Sequence, residues 1–298
     1  MISVQCSVPS AKANGKGYCT VSCLLFTMAV PLYFRKAGQG PFLIILHGFL
    51  GSSDNWISFA KKLEEKFTMI IPDLRNHGKS PHTLTHTYDN MSEDLEFLFE
   101  SNKITRASIL GHSMGGKAAM MFSANYPEKI DHLIVADVAP IIYRNGTDPL
   151  KSGEQDKSVI NLIDKLELSA FLTRGEIDQA LALNLKNEGM RQFILKNISR
   201  DNSGQFKWKI NVPVLRDSFD AILYDVNQEW FDSIKPILNY PVTFIRGLYS
   251  EYITDEDIPI LKDIYPEAKI IDIPDAGHWL HIDQPDLFLK AIMESLRR

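Results

Sequence analysis

Short, nearly continuous apolar runs recur along the chain, separated by stretches with helical spacing. The runs are Phe42-Leu43-Ile44-Ile45-Leu46, Thr68-Met69-Ile70-Ile71, Ser108-Ile109-Leu110, Leu133-Ile134-Val135-Ala136, Val242-Thr243-Phe244-Ile245 and Lys269-Ile270-Ile271-Asp272. They are too apolar to alternate, so they predict strands buried on both faces, as in a parallel sheet covered by helices. Between them, residues Asn55–Phe67, Asn90–Glu100 and Gly115–Asn125 repeat apolar positions at helical spacing, and an amphipathic helix is predicted over Gln284–Leu296. The rhythm predicts an α/β fold with a mostly parallel, doubly wound sheet. After Pro140 it breaks. Helices are predicted at Lys157–Leu166, Arg174–Leu185, Met190–Ile198 and Val214–Leu223, with a hairpin-like piece at Gly204–Ile210. The economical division is a core of residues 31–140 and 236–298, interrupted by a helical cap insertion over 141–235. An insertion beyond the strand ends would roof the edge where open α/β sheets bind ligands.

Residues 1–30 differ in kind. No Asp or Glu precedes Asp54, whereas Lys12, Lys16, Arg35 and Lys36 do. The apolar run Val21–Phe34 is 14 residues long and holds Pro31, too short for a membrane span. This N-terminal extension fits a transit peptide. The rival readings are a secretory signal, a true start at Met28, or a segment that supplies the first strands. The three cysteines, Cys6, Cys19 and Cys23, all lie here and cannot staple the body of the fold. With 298 residues, 45% hydrophobic and 23% charged, the chain has the composition of an ordinary globular protein. Its net charge of −5 gives no electrostatic reason to expect nucleic acid or an anionic membrane as partner.

The strongest chemical signal is Gly111-His112-Ser113-Met114-Gly115, which follows a strand pattern and opens a helix pattern. Strand, G-x-S-x-G and helix together make a nucleophile elbow, with Ser113 as nucleophile. A serine hydroxyl needs a base, and the base needs an orienting group. In elbow enzymes these follow in the order serine, acid, histidine. Only His132, His278 and His281 come after Ser113. His132 starts a strand and so lies at the wrong end of the sheet. His278, in the loop after Lys269–Asp272, is the expected base, and His281 is expected nearby in a supporting or surface position.

Two loops offer the acid. Many elbow hydrolases carry Asp three residues after the Gly of Arg246-Gly247-Leu248-Tyr249-Ser250-Glu251, but here that position holds Ser250. Serine cannot stabilise an imidazolium as a carboxylate does. Asp137, after the strand Leu133–Ala136, is therefore preferred, with Glu251 as the alternative. The oxyanion of an acyl-transfer intermediate needs backbone N–H donors, and those of Met114 and Phe49 are expected to supply them. The loop Asp73-Leu74-Arg75-Asn76-His77-Gly78-Lys79-Ser80-Pro81 reads as a structural brace, the other reading being a substrate carboxylate held by Arg75. Phe171, Leu172, Phe193, Trp208 and Leu223 are apolar cap residues that could line a pocket or form the core between cap helices. No metal-ligand spacing, G-x-G-x-x-G or P-loop occurs, so neither a metal nor a nucleotide cofactor is expected.

His47-Gly48-Phe49-Leu50-Gly51-Ser52, the Asp73–Pro81 string, Gly111–Lys117 and Gly277-His278-Trp279 resemble the α/β-hydrolase fold. More narrowly, they resemble the branch of abhydrolase domain-containing protein 11 and the bacterial YbfF-type esterases. The resemblance runs from about residue 30 to the end. In bacterial members the acid comes from the loop after the strand that follows the nucleophile helix, which here is Asp137, while Glu251 departs from the pattern. The resemblance implies a serine esterase or thioesterase acting on small-molecule acyl esters without a cofactor. It also implies a mitochondrial location, with a cytoplasmic one as the alternative. A carbon–carbon bond hydrolase, a lipase-like enzyme and a hydrolase-derived binding or partner protein are the competing functions, because the triad does not fix the bond that breaks.

Overall fold

The computed structural model describes residues 29–140, 150–224 and 228–297. The three cysteines, most of the N-terminal extension and the start of the cap insertion lie outside the described residues. Seven strands form the main sheet: β1 (Phe34–Ala37), β2 (Phe42–Leu46), β3 (Thr68–Pro72), β4 (Ala107–His112), β5 (Ile130–Ala136), and two that are numbered after the cap hairpin. That hairpin is β6 (Ile198–Arg200) and β7 (Phe206–Trp208); β8 (Val242–Gly247) and β9 (Lys269–Ile273) complete the main sheet. The order is β1-β3-β2-β4-β5-β8-β9. All neighbours are parallel except β1, which runs antiparallel to β3 with Phe34 opposite Pro72.

Alternation along each strand sends side chains to opposite faces. Ile44, Ile109, Leu133, Val135 and Phe244 pack beneath the helices Tyr88–Ser101, Met114–Asn125 and Ile258–Ile264. Leu43, Ile45, Leu110, Ile134 and Ile245 pack against Ile57–Ala60 and Pro285–Ser295 on the other face. Central strands β4 and β8 are buried throughout, whereas the edge strands β1 and β9 are only partly buried. β1 escapes the pattern for that reason: an edge strand of sequence Phe-Arg-Lys-Ala needs no continuous apolar run.

Two predicted helices differ from the structure. Residues Asn55–Phe67 are not one helix but a 3-10 turn (Ser53–Trp56), a single α turn (Ile57–Ala60) and further turns. Bonds of the i→i+3 type, such as Lys62 N to Phe59 O at 3.0 Å and Lys66 N to Leu63 O at 2.9 Å, tighten the segment so that the chain can enter β3. Val214–Leu223 is likewise two helices, Val212–Asp217 and Phe219–Tyr224, joined at Ser218.

Between β5 and β8 the chain leaves the sheet and forms its own apolar cluster around Ile160, Ile177, Leu181, Ile194 and Leu215. Among the described residues, hydrogen bonds tie this segment to the C-terminal edge of the sheet. Asn197 Nδ2 donates to Leu50 O at 2.7 Å, Asn211 N to Asn76 O at 2.9 Å, Tyr88 Oη to Ile222 O at 2.7 Å, and Lys117 Nζ to Leu223 O at 2.6 Å.

Candidate active site

The register brings the strand ends Leu46, His112, Ala136, Gly247 and Ile273 to one edge, and each expected site residue lies just beyond one of them. Ser113 follows β4 with φ 54° and ψ −123°, a left-handed conformation that strains a residue with a Cβ. The surrounding glycines make this turn sterically feasible. A Cβ on Gly111 would stand 2.3 Å from Gly115 O, and one on Gly115 would stand 2.5 Å from Leu46 O. The helix Met114–Asn125 therefore starts against the sheet, and Met114, its first residue, lines open space beside Ser113 at a helix N-terminus that favours negative charge.

Asp137 follows β5, fully buried and also at positive φ, 54°. Its Oδ2 accepts from His278 Nδ1 at 2.8 Å and from Ser250 Oγ, and its Oδ1 accepts from Gly247 N at 3.1 Å. The serine at the usual acid position thus donates to the carboxylate that meets the histidine. Glu251 is exposed and makes no such contact. With Nδ1 engaged by Asp137, His278 keeps Nε2 for the cavity it shares with Ser113.

Two further neighbours, Tyr252 and His112, flank the imidazole. Tyr252 stacks on it with ring centroids 3.9 Å apart and planes 23° apart. His112, 4.8 Å away, donates from Nε2 to the His278 carbonyl at 2.8 Å. Burial, reinforced by His278 and His281, holds His112 well below the usual histidine range, so it is neutral. His281 lines the cavity in a short helix, Leu280–Asp283, with its ring stacked on Trp56 at 4.6 Å. Burial, with His278 and Lys196 adding to it, lowers His281 to about 4. His132 lies at the far end of β5, where its Nε2 meets Thr243 Oγ1 at 2.9 Å.

Two more histidines shape the loop after β2. His47 Nδ1 donates to Gly48 O at 2.8 Å while its Nε2 accepts from Leu74 N at 2.9 Å. His77 Nδ1 donates to Arg75 O at 3.0 Å while its Nε2 accepts from Leu50 N at 3.2 Å. Both rings must be neutral to accept, and burial lowers both below the ordinary value. The loop they hold presents Phe49 beside Ser113, and among the described residues neither the Phe49 nor the Met114 amide donates to a protein acceptor. Arg75 faces away from the cavity. It is buried in a two-pronged ion pair with Asp94, at 2.6 and 2.7 Å, and also donates to Thr85 Oγ1. The Asp73–Pro81 loop is thus tied into the core, with Asp73 accepting from Ser53 N and Lys79 N.

Of the cap residues singled out in the sequence, Phe193 and Leu223 line the open space above Ser113. Phe171 and Trp208 pack on the cap cluster, and Leu172 is 77% exposed. Sequence reasoning missed Tyr252, His112 and the donor role of Ser250. Only Ser250 left a signal, as the occupant of a position where a carboxylate is common. Among the described residues no group of three or more His, Cys, Asp or Glu could hold a metal ion, and no helix is long and apolar enough to cross a membrane.

The α/β-hydrolase fold family model matches residues 41–285. The chain is 32% identical over 270 residues to the sn-1-specific diacylglycerol lipase ABHD11 of Danio rerio, covering 89% of this chain and 81% of that protein. It is 32% identical over 254 residues to esterase YbfF of Escherichia coli, covering 85% of this chain and 92% of the esterase. Among solved structures, a marine microorganism esterase superposes with a TM-score of 0.84 at 42% identity, covering 90% of this chain and all of that one. With the sheet, the elbow and these relatives in agreement, the chain belongs to the α/β-hydrolase family, in the branch of ABHD11 and esterase YbfF, and is a hydrolase enzyme.

Proposed function

We propose that the protein is a serine esterase or thioesterase that hydrolyses small to medium acyl esters through an acyl-enzyme on Ser113. The observation that carries this reading is the 2.8 Å bond from His278 Nδ1 to Asp137 Oδ2, beside an elbow serine that lines the same cavity. Asp137 holds the ring so that Nε2 faces the nucleophile and stabilises the imidazolium that forms. Ser113 Oγ bonds to the carbonyl carbon as its proton passes to His278 Nε2. The oxygen of the intermediate takes the negative charge and meets the amides of Phe49 and Met114. Collapse breaks the bond to the leaving oxygen or sulfur, which takes the proton from His278. Water then repeats the sequence on the acyl-enzyme, giving its proton to His278 and releasing the acid and free Ser113. No cofactor enters any step. The names of the relatives, an esterase and a diacylglycerol lipase, support ester substrates.

The test is Ser113→Ala, which removes one hydroxyl, and hydrolysis of p-nitrophenyl butyrate should fall by roughly 10⁴ to 10⁶. A rate within about tenfold of the parent removes Ser113 from the mechanism.

A further inference from the structure

Two lobes of open space meet at Ser113. The first, with an empty volume of about 530 Å³, is lined by His278, Trp279, His281 and Phe193. The second, of about 380 Å³, is lined by Met114, Tyr252, Phe219 and Leu223. Phe49 and Ser113 line both, and the Phe49 ring meets Phe219 edge-on at 5.3 Å. An ester has two arms, one on each side of the carbonyl carbon. Once that carbon reaches Ser113 Oγ, the arms extend in different directions, and each lobe receives one of them.

Proton transfer decides which arm goes where. The leaving atom must be met by His278 Nε2, and an imidazole donates in its own plane, not through its face. Nδ1 is unavailable because Asp137 holds it. From the second lobe, the imidazole stands behind the stacked ring of Tyr252, 3.9 Å from it, so an atom there meets the phenol ring. The first lobe is lined by His278 itself. We infer that the acyl chain occupies the lobe of Phe219 and Leu223, and that the leaving alcohol or thiol occupies the lobe of Phe193, Trp279 and His281.

This assignment rests on the esterase reading and adds a substrate class to it. The acyl lobe is the smaller, and its walls include Val138, Phe219, Ile222 and Leu223, while the polar ends of Tyr88 and Lys117 are engaged by the Ile222 and Leu223 carbonyls, so it takes an aliphatic chain. Each methylene buried there should raise kcat/KM roughly fourfold until the lobe is full, after which the rate falls. The leaving-group lobe is larger and walled by rings, with Phe193 set edge-on to Trp279 at 4.5 Å, so it suits a bulky or aromatic alcohol. Leu223 is held in place through its backbone, whose carbonyl accepts from Lys117 Nζ, and trimming its side chain leaves that bond intact.

The experiment uses two ester series on the full chain: p-nitrophenyl esters from acetate to decanoate, and butyrate esters from methyl to naphthyl. Leu223→Ala should move the preferred acyl length upward by about two carbons and keep the ranking of the butyrate esters. Leu223→Phe should move it downward, and it serves in place of the alanine variant if that one does not fold. Phe193→Ala should do the reverse, re-ranking the butyrate esters while the preferred acyl length stays put. Crossed responses overturn the assignment, and so do variants that change neither profile. Ser113→Ala, run on both series, separates this outcome from failure of the esterase reading. If it stays active, that reading falls; if it is inactive and the responses are crossed, only the lobe assignment falls.

Discussion

Replacing Asp137 by asparagine tests the proposed acid with almost no change in shape. Oδ1 accepts from Gly247 N and Oδ2 accepts from both His278 Nδ1 and Ser250 Oγ, so all three contacts are donors to the carboxylate. An asparagine has one oxygen and one NH₂ to place among them. With its oxygen toward Gly247, the NH₂ faces Nδ1, which must then give up its proton. The imidazole switches to the tautomer protonated on Nε2, and that nitrogen can no longer accept the Ser113 proton. With the amide turned round, two N–H groups confront each other in a fully buried place, which costs about 1–3 kcal/mol. The first arrangement is therefore favoured, and it is the inactive one.

A wrong tautomer together with the lost carboxylate charge should lower kcat by about 10³ to 10⁴, or roughly 4 to 5.5 kcal/mol of transition-state stabilisation. The assay is initial-rate hydrolysis of p-nitrophenyl butyrate, after circular dichroism and thermal melts show that the variant folds. Glu251→Gln is the control. Its side chain is exposed, so the change should be worth less than about tenfold in rate, or about 1.4 kcal/mol. A crippled Glu251→Gln beside a nearly normal Asp137→Asn would overturn the assignment, because the acid would then come from the loop after β8.

Stability should depend on pH through the buried neutral histidines. His47, His77 and His112 lie below the ordinary value, and His86, His132 and His281 lie at about 3, 4 and 4, in every case chiefly because burial penalises the charged form. The unfolded chain takes up protons from about pH 6.5 downward and the folded one does not, so stability is fully present above that pH and is lost toward pH 4. Urea unfolding at pH 5 should show at least about 2 kcal/mol less stability than at pH 7, the share of one such histidine; equal midpoints and slopes would contradict it. Asp94→Asn should destabilise by about 3–5 kcal/mol, because it leaves the buried Arg75 guanidinium without its counter-charge, and a loss below 1 kcal/mol by urea titration would show the brace to be dispensable. Gly115→Ala should prevent soluble folding or lower Tm by more than about 10 °C, because its Cβ would meet backbone oxygens of both Leu46 and His47; a melt within about 2 °C of the parent would contradict the close approach.

The sheet was legible because a parallel sheet covered on both faces leaves its residues few polar options. β2, β3, β4, β5, β8 and β9 each contain their predicted apolar run, with an extension of at most a few residues at either end. Where exposure relaxes that constraint the pattern fades, and β1 was not distinguished. The segment 55–67 failed for the opposite reason. Its apolar spacing suits a helix, but the chain must turn into β3 within a few residues, and that demand of the sheet overrides local preference. The α/β-hydrolase fold was also legible in the elbow, since glycine is required wherever a strand end, a strained serine and a helix start touch.

Most of the site's support was not legible, for a physical reason that its residues share. Ser250 lies 113 residues from Asp137 in the chain, and Lys117 lies 106 residues from Leu223, so no local pattern carries either contact. Tyr252 and His112 cover His278 only because the β8 loop and the end of β4 converge on the loop after β9. The positive φ of Asp137 has no glycine to announce it, unlike a turn that selects residues by conformation. It persists because its amide donates to Ile245 O at 2.8 Å, its carboxylate has three donors, and its burial is complete. Strain of this kind lasts only where tertiary contacts over-determine the backbone. A sequence read in windows therefore finds Ser113, whose turn is accommodated locally by glycines. It leaves Asp137, the proposed acid, to be argued by elimination, because what holds this residue in place comes from the next strand and from the loops beyond it.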